Sequence, residues 1–128
     1  MPHYRFAETQ PERVIAHAGR LPIHSARVQN PRIGSAVNFV DLVTVPSGAD
    51  VGLHRHSMRD EEFYVIIQGT GRMLIDGVEA SVGPGDVLLN PPGGTHSLIN
   101  TGDGELKFVV IDVSIDGSAY VEPTNVQA

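Results

Sequence analysis

Apolar residues fall along the chain in short runs, with glycine and proline between them. The runs are rich in Val, Ile, Leu and Phe. They cover residues 35–45, 62–68, 72–76, 86–90, 96–100 and 105–115. Short strands at such spacing, separated by turn residues, are typical of an all-β sandwich or barrel. No window shows a convincing helical period with caps, so we predict little helix.

The run at 72–76 ends in Asp76 and is followed by Gly77. An Asp-Gly pair beside an apolar segment is a strong signal for a two-residue hairpin, because both turn positions need a positive φ. We therefore expect two antiparallel strands to meet there.

Length and composition narrow the class of protein. The chain has 128 residues, which fits one domain, and its 41% hydrophobic and 19% charged residues are a globular composition. The net charge of -6 argues against general nucleic-acid binding, which needs a basic face. Because the chain has no cysteine, disulfides and thiolate metal sites are excluded.

The first residues, MPHYRFAETQPERV, have neither the apolar core nor the cleavage site of a signal peptide. No apolar run reaches the roughly 20 residues that a membrane span needs. We therefore expect a cytoplasmic protein that has no membrane partner.

His54 and His56 are separated by one residue. In a strand, residues i and i+2 point to the same face, so the two imidazoles would aim together. Two converging imidazoles are a start for a metal site. The alternative is a pair of solvated histidines near a loop.

A second segment, GDVLLNPPGGTHSLIN, runs from Gly85 to Asn100. Pro91 and Gly93 predict a sharp turn between two strands, which places His96 at the start of the second strand. Asn100 lies four residues further on, so strand alternation returns it to the face of His96, where it could tie a nearby loop.

The two segments together resemble the motifs of a small single-domain cupin. The family's first motif is Gly, five residues, His-x-His, three or four residues, Glu, six residues and Gly, and it begins here at Gly48. The second motif is Gly, five residues, Pro-x-Gly, two residues, His, three residues and Asn, which 85–100 matches at every fixed position. The resemblance covers residues 48–100 and implies an all-β double-stranded β-helix, or jelly-roll barrel.

The resemblance also implies a division of the chain. The cupin barrel would occupy residues 35–116, followed by a C-terminal tail at 117–128. Residues 1–34 would be an N-terminal arm that covers a sheet edge or a partner subunit. We therefore expect a homodimer.

The first motif departs from the family pattern at its glutamate. Counting from His56 leads to Glu61, whereas counting back from Gly69 leads to Glu62, so the segment carries one extra residue. The count from Gly69 runs along a regular strand, where burial specifies the register, and the other count crosses a loop. We therefore favour Glu62 over Glu61.

By resemblance, the metal ligands are His54, His56, Glu62 and His96. They would hold one divalent ion, which could be Mn, Fe, Ni or Zn. Three neutral imidazoles and one carboxylate leave such an ion with a net positive charge, and an open metal can polarise a substrate carbonyl or carboxylate.

Two functions remain open at this point. The favoured one is a metal-dependent enzyme that acts on a small oxygenated or carboxylated substrate by decarboxylase, dioxygenase, isomerase or lyase chemistry. The alternative is a non-catalytic protein that uses the metal to grip a small ligand. Catalytic residues cannot be assigned from the sequence, because fold does not imply function.

Several other polar residues have open roles. Tyr64 and Gln68 could line the barrel interior near Glu62. Asn38 and Asp41 lie on an apolar predicted strand and could be pocket groups or a solvated edge. The histidines outside the motifs are predicted at the surface, and they are His3, His17 and His24.

Overall fold

The computed structural model of the protein describes residues 3–28 and 35–126. The strands in these ranges are β1 (Glu12–Val14), β2 (Ile23–Val28), β3 (Val37–Val45), β4 (Asp50–Arg55), β5 (Asp60–Gln68), β6 (Gly71–Ile75), β7 (Val78–Val82), β8 (Val87–Asn90), β9 (Thr95–Asn100), β10 (Leu106–Ser114) and β11 (Thr124–Asn125). Two short 3₁₀ turns, Phe6–Glu8 and Ala16–Ala18, are the helical segments of the same ranges. Neither has the length or the apolar run that a bilayer crossing requires. The all-β prediction is confirmed.

The strands form two antiparallel sheets. One has six strands in the order β1-β2-β3-β10-β5-β8, and the other has five in the order β11-β4-β9-β6-β7. Consecutive strands from β3 to β11 lie in opposite sheets, except β6 and β7, which form a hairpin within one sheet; this alternation is the connectivity of a jelly roll. The predicted jelly-roll barrel is confirmed.

Both flanks of the predicted barrel contribute strands. β2 pairs with β3 from His24 opposite Thr44 to Val28 opposite Val40, so it covers the edge that β3 would otherwise expose. At the other end of the chain, β11 pairs with β4. The boundary predicted at residue 34 and the last two residues of the predicted tail lie outside the described residues.

The turn between β6 and β7 is a two-residue hairpin. Asp76 and Gly77 both have positive φ, at 47° and 82°, as a type I′ turn requires. Ile75 pairs with Val78 across it. The hairpin prediction is confirmed.

The core lies between the two sheets, where alternate side chains of each strand meet. Val45, Leu98, Leu106 and Phe108 are fully enclosed there. Burying such a side chain contributes about 1.5–3 kcal/mol, so these positions hold the sheets face to face.

Asn100 ties together one end of the barrel. Its amide nitrogen donates to the carbonyl oxygens of Val45 and Gly104, both at 2.8 Å. Its amide oxygen accepts from the backbone N–H of Gly102 at 2.9 Å. The predicted loop-tying role is thus realised by three bonds to backbone groups.

Candidate metal centre

Four buried side chains converge between the two sheets. β4 and β9 are hydrogen-bonded neighbours, and after a register shift between Val51 and His54 the residue His54 lies directly opposite His96. His56 follows the last residue of β4, and its backbone N–H donates to the carbonyl of Gly94 at 3.0 Å. Glu62 comes from β5 in the facing sheet. One ligand atom from each of the four lies within 4.8 Å of the others.

The structure brings Glu62, and not Glu61, to the histidines. Glu62, Tyr64 and Ile66 alternate along β5 as buried residues, whereas Glu61 is half-buried on the opposite face. The extra residue of the motif lies in the loop at 56–59, before β5 begins. Burial of one face of a strand allows a single register, and this explains why the loop absorbs the insertion.

The polar atoms at the centre have unmet bonding capacity. Glu62 Oε1 lies 3.1 Å from His56 Nε2 and 3.3 Å from His96 Nε2. Yet His56 Nε2 and Glu62 Oε1 are buried without a well-formed hydrogen bond to any described residue. Buried polar atoms without a partner are costly, and a cation at this point would satisfy both. The donor set of imidazoles and a carboxylate therefore fits a divalent metal ion.

Hydrogen bonds on the far side of two rings set their tautomers. The Nδ1–H of His56 donates to Asp60 Oδ2 at 3.0 Å, and the Nδ1–H of His54 donates to the carbonyl of Gly52 at 2.7 Å. With the proton on Nδ1, each ring keeps its Nε2 lone pair for the centre. Asp60 is buried and was missed by the sequence argument, although it stands four residues after His56.

The surroundings of His54 and His56 shift their pKa values in opposite directions. Burial, with His96 nearby, lowers the pKa of His54 to about 3. Burial also lowers the pKa of His56, but the close approach and charge of Glu62, together with the hydrogen bond and charge of Asp60, more than offset it and raise the pKa to about 9. Burial disfavours the charge on Glu62, yet the close imidazoles of His56 and His96 hold the pKa of that carboxyl below its usual range. The metal-free centre therefore keeps one proton on His56, between two carboxylates.

A buried polar network extends from Asp60. Burial and the close carboxyl of Asp60 raise the pKa of Asp112 to about 8. The Asn38 amide donates to Asp112 Oδ1 at 2.7 Å and accepts from the Ser114 hydroxyl at 3.0 Å. Asn38 therefore belongs to a buried polar cluster beside Asp60, which accepts the hydrogen bond of His56.

Asn90 is a second residue that the sequence argument missed. It lies opposite Glu62 on the neighbouring strand β8, and it is 1% exposed. Neither polar atom of its amide has a hydrogen-bond partner among the described residues. A bound water or a ligand oxygen would satisfy this amide.

A cavity of about 310 Å³ adjoins the centre. His54, Glu62 and Tyr64 line one part of it. Arg27 and Asp41 line another part, paired through two hydrogen bonds of 2.8 and 3.0 Å. Asp41, left open by the sequence, is thus a pocket group. Segments from both ends of the chain, 14–17 and 120–123, complete the lining.

His17 is half-buried and packs against the centre, so the prediction of a surface histidine holds only in part. Its ring stacks on that of His54, with centroids 3.7 Å apart, and its Nδ1–H donates to Asn125 Oδ1 at 3.2 Å. Burial lowers its pKa. No local pattern marks His17, because its position depends on how β11 pairs with β4.

Tyr64 lies inside the barrel, with its hydroxyl 3.3 Å from His96 Nε2. Gln68 does not lie inside the barrel, because it is exposed at the end of β5. The register between β10 and β5 shifts between Lys107 and Phe108, and this irregularity ends the inward alternation before Gln68.

A two-sheet jelly roll around a buried cluster of three histidines and one glutamate defines a cupin. The sequence profile described as "Cupin domain" matches residues 41–112, more than half of the chain. The protein belongs to the cupin family.

Known proteins resemble the chain in sequence, in fold or in both. An oxalate-binding protein of Thermotoga maritima is 28% identical over 109 residues, which are 84% of this chain and 89% of that protein. The crystal structure of a predicted oxalate decarboxylase from Thermotoga maritima superposes with a TM-score of 0.81 at 27% identity, over 87% of this chain and 97% of the other. The polyketide cyclase RemF of Streptomyces resistomycificus has a TM-score of 0.78 at 15% identity, over 100% and 87%, and shares the fold.

Proposed function

We propose that the protein is a metal-dependent enzyme that acts on a small oxygenated or carboxylated substrate. Its ligands are His54, His56, Glu62 and His96, and the ion is Mn, Fe, Ni or Zn. The observation that carries this proposal is the convergence of four buried ligand atoms within 4.8 Å beside a cavity. Two of these atoms otherwise have no well-formed hydrogen bond to a described residue.

The chemistry follows from the donor set. A divalent ion there polarises a carbonyl or carboxylate, or lowers the pKa of a bound water. The four ligands carry a single negative charge, from the carboxylate. A divalent ion held by them would keep a net positive charge, which attracts an anionic head group. His54 and Glu62 face the cavity, and the bonds to Gly52 and Asp60 fix the imidazoles of His54 and His56. Decarboxylase, dioxygenase, isomerase and lyase chemistry all suit such a site.

A second candidate is a protein that binds a small carboxylate without converting it. The similarity to the oxalate-binding protein, over 84% of this chain, favours this candidate. In that case the ion only grips the ligand through its oxygens.

Elemental analysis of protein purified without an affinity tag or chelator tests the proposal first. Metal-loaded and chelator-treated protein are then incubated with oxalate and with 2-oxo and 2-hydroxy acids, and both consumption and binding are measured. Turnover that needs the metal supports the enzyme, whereas metal-dependent binding without turnover supports the second candidate. Protein that neither contains nor takes up a divalent ion overturns both.

We also propose that the protein is a cytoplasmic homodimer without a nucleic-acid partner. Support for the dimer comes from the outer face of the six-stranded sheet. Val65 on β5 has Val109 and Val87 as its neighbours across the two adjoining strands. Val87 is 63% exposed. An apolar sheet face of this kind is suited to burial against a second copy.

A further inference from the structure

The cavity beside the centre has an apolar wall. Strand alternation on β2, β3 and β10 points buried apolar residues into it, namely Ile23, Phe39, Val43, Phe108 and Val110. Its volume of about 310 Å³ has room for at least about ten water molecules. Small-molecule sites are commonly of this size and largely apolar.

Oxalate suits this cavity poorly. It consists of two carboxylates and has no apolar part, so it would leave the wall in contact with water. Turning its outer oxygens toward Val43 and Val110 would bury charge against hydrocarbon, which is costly. A ligand that covers the wall must have an apolar body.

The ion pair of Arg27 and Asp41 in the cavity has no net charge that would attract a second carboxylate of a ligand. Arg27 is bonded to Asp41 through two nitrogens, so the two charges cancel. The guanidinium lies 3.8 Å from the centroid of the Phe39 ring, and Tyr120 meets that ring edge-on at 5.4 Å. A wall of flat groups of this kind favours contact with a ring or a branched chain.

We infer that the ligand is a monocarboxylic 2-oxo or 2-hydroxy acid with an aromatic or branched apolar body. Its oxygenated head lies at His54 and Glu62, a placement that rests on the proposed function. Its body lies against Phe39, Val43 and Val110. This ligand class follows from the wall and does not depend on which reaction the centre performs.

A chain-length series tests the inference. The manganese-loaded full chain is titrated calorimetrically with pyruvate, 2-oxobutanoate, 2-oxopentanoate, phenylpyruvate and oxalate. Burial of each added methylene should tighten binding about fourfold. Phenylpyruvate should bind most tightly. A flat series, or oxalate as the tightest ligand, would overturn the inference.

Two adjacent residues provide a matched pair of variants. Val110 points into the cavity, whereas Val109 points to the outer face of the same strand. Val110→Thr should weaken phenylpyruvate binding on the order of tenfold. The apolar body of the ligand would displace water from the threonine hydroxyl and leave that hydroxyl without a hydrogen bond. It should leave metal content and pyruvate binding nearly unchanged, and Val109→Thr should alter none of these. Equal effects of the two substitutions on phenylpyruvate would contradict a wall contact.

Failure of the metal centre is distinguishable from failure of the ligand class. Metal per chain is measured on every sample, and the metal-free protein is titrated with straight-chain monocarboxylates of increasing length. If no metal binds but affinity still rises with each methylene, the proposed function fails and the apolar ligand class stands. If metal binds but neither series depends on length, the ligand class fails and the centre stands.

Discussion

The imidazole of His17 lies flat on that of His54, with ring centroids 3.7 Å apart and planes 13° from parallel. His17 has left-handed backbone angles, φ 50° and ψ 48°, which are uncommon for a residue other than glycine. Such a conformation persists where its surroundings determine it. Here the bond to Asn125 and the stacking on His54 hold it. The N-terminal segment is thereby attached to the candidate metal centre.

His17→Ala should weaken metal binding about tenfold, because His54 loses the ring that limits its orientation. His17→Phe should recover most of that loss, since a phenyl ring can still stack while lacking the bond to Asn125. Manganese affinity, measured by competition with a chelating dye, distinguishes the two variants. His24→Ala, at a half-buried position on β2, is the control and should match the wild type. Equal affinity of His17→Ala and wild type would exclude a positioning role.

Gly52→Ala should displace the segment that carries His17. A Cβ at Gly52 would collide with the backbone carbonyl of His17, and backbone cannot give way as a flexible side chain can. Overpacking of this kind costs about 1–3 kcal/mol in the free energy of unfolding. Gly83→Ala is the matched control, because a Cβ there meets only open space. Thermal unfolding should show a lower melting temperature for Gly52→Ala alone, and equal values would refute the close approach.

Glu62→Gln should lower metal affinity by tenfold or more, because it keeps the shape of the side chain but removes its charge. Glu61→Gln should be near neutral, since its side chain lies on the other face of β5. Metal per chain and the melting shift on adding chelator should change together, because an ion that binds only the folded state stabilises it. Loss of metal in Glu61→Gln alone would mean that the register is wrong. Retention of the metal in both variants would mean that no carboxylate is a ligand and that three histidines hold the ion.

The metal-free protein should be most stable near pH 6.5. Below this pH the unfolded chain protonates His54, His96 and His17 while the folded chain resists, because burial lowers all three pKa values. Folded Asp112 holds a proton that the unfolded chain has lost above about pH 4, and this offsets only one of the three, so stability falls with acid. Above pH 6.5, folded His56 keeps its proton to about pH 9, and folded Asp112 keeps its proton to about pH 8. The unfolded chain has lost both protons by then, so stability falls with base. Where the folded and unfolded chains differ by one bound proton, the free energy of unfolding changes by about 1.4 kcal/mol per pH unit.

Chemical unfolding of chelator-treated protein across this pH range checks the profile. Manganese should flatten the alkaline side, because the ion takes the place of the His56 proton. A metal-free profile that keeps rising between pH 6.5 and 9 would contradict the assignment of that proton.

The wild-type protein should be a dimer at micromolar concentration, and Val65→Lys should convert it to a monomer. The substitution places a charge at the centre of the apolar outer face, where a second copy would have to bury it. Light scattering should give twice the chain mass of 13.7 kDa for the wild type and the chain mass for the variant. Val78→Lys is the control, because Val78 is 70% exposed on the other sheet. A wild-type mass near 13.7 kDa would rule out the dimer.

Local sequence was sufficient for six of the strands and one turn, and the resemblance to the cupin motifs indicated the four residues of the centre. The type I′ turn follows from Asp76-Gly77 alone, because few other pairs adopt positive φ twice. Strand period by itself placed His54 and His56 on one face, and His96 joined them through the resemblance to the family's second motif. The choice of Glu62 over Glu61 combined the family's count back from Gly69 with the rule that burial fixes the register of a strand more firmly than the length of a loop.

Tertiary structure alone decided what surrounds that centre. His17 meets Asn125 across 108 positions of the chain, and Asn38 meets Asp112 across 74. No period or spacing connects such pairs, since their proximity depends on which strands become neighbours in each sheet. The cavity has the same origin, because its wall combines strands of both sheets with both ends of the chain. Local periodicity thus determined which residues face inward, and the pairing of distant strands determined what they meet there.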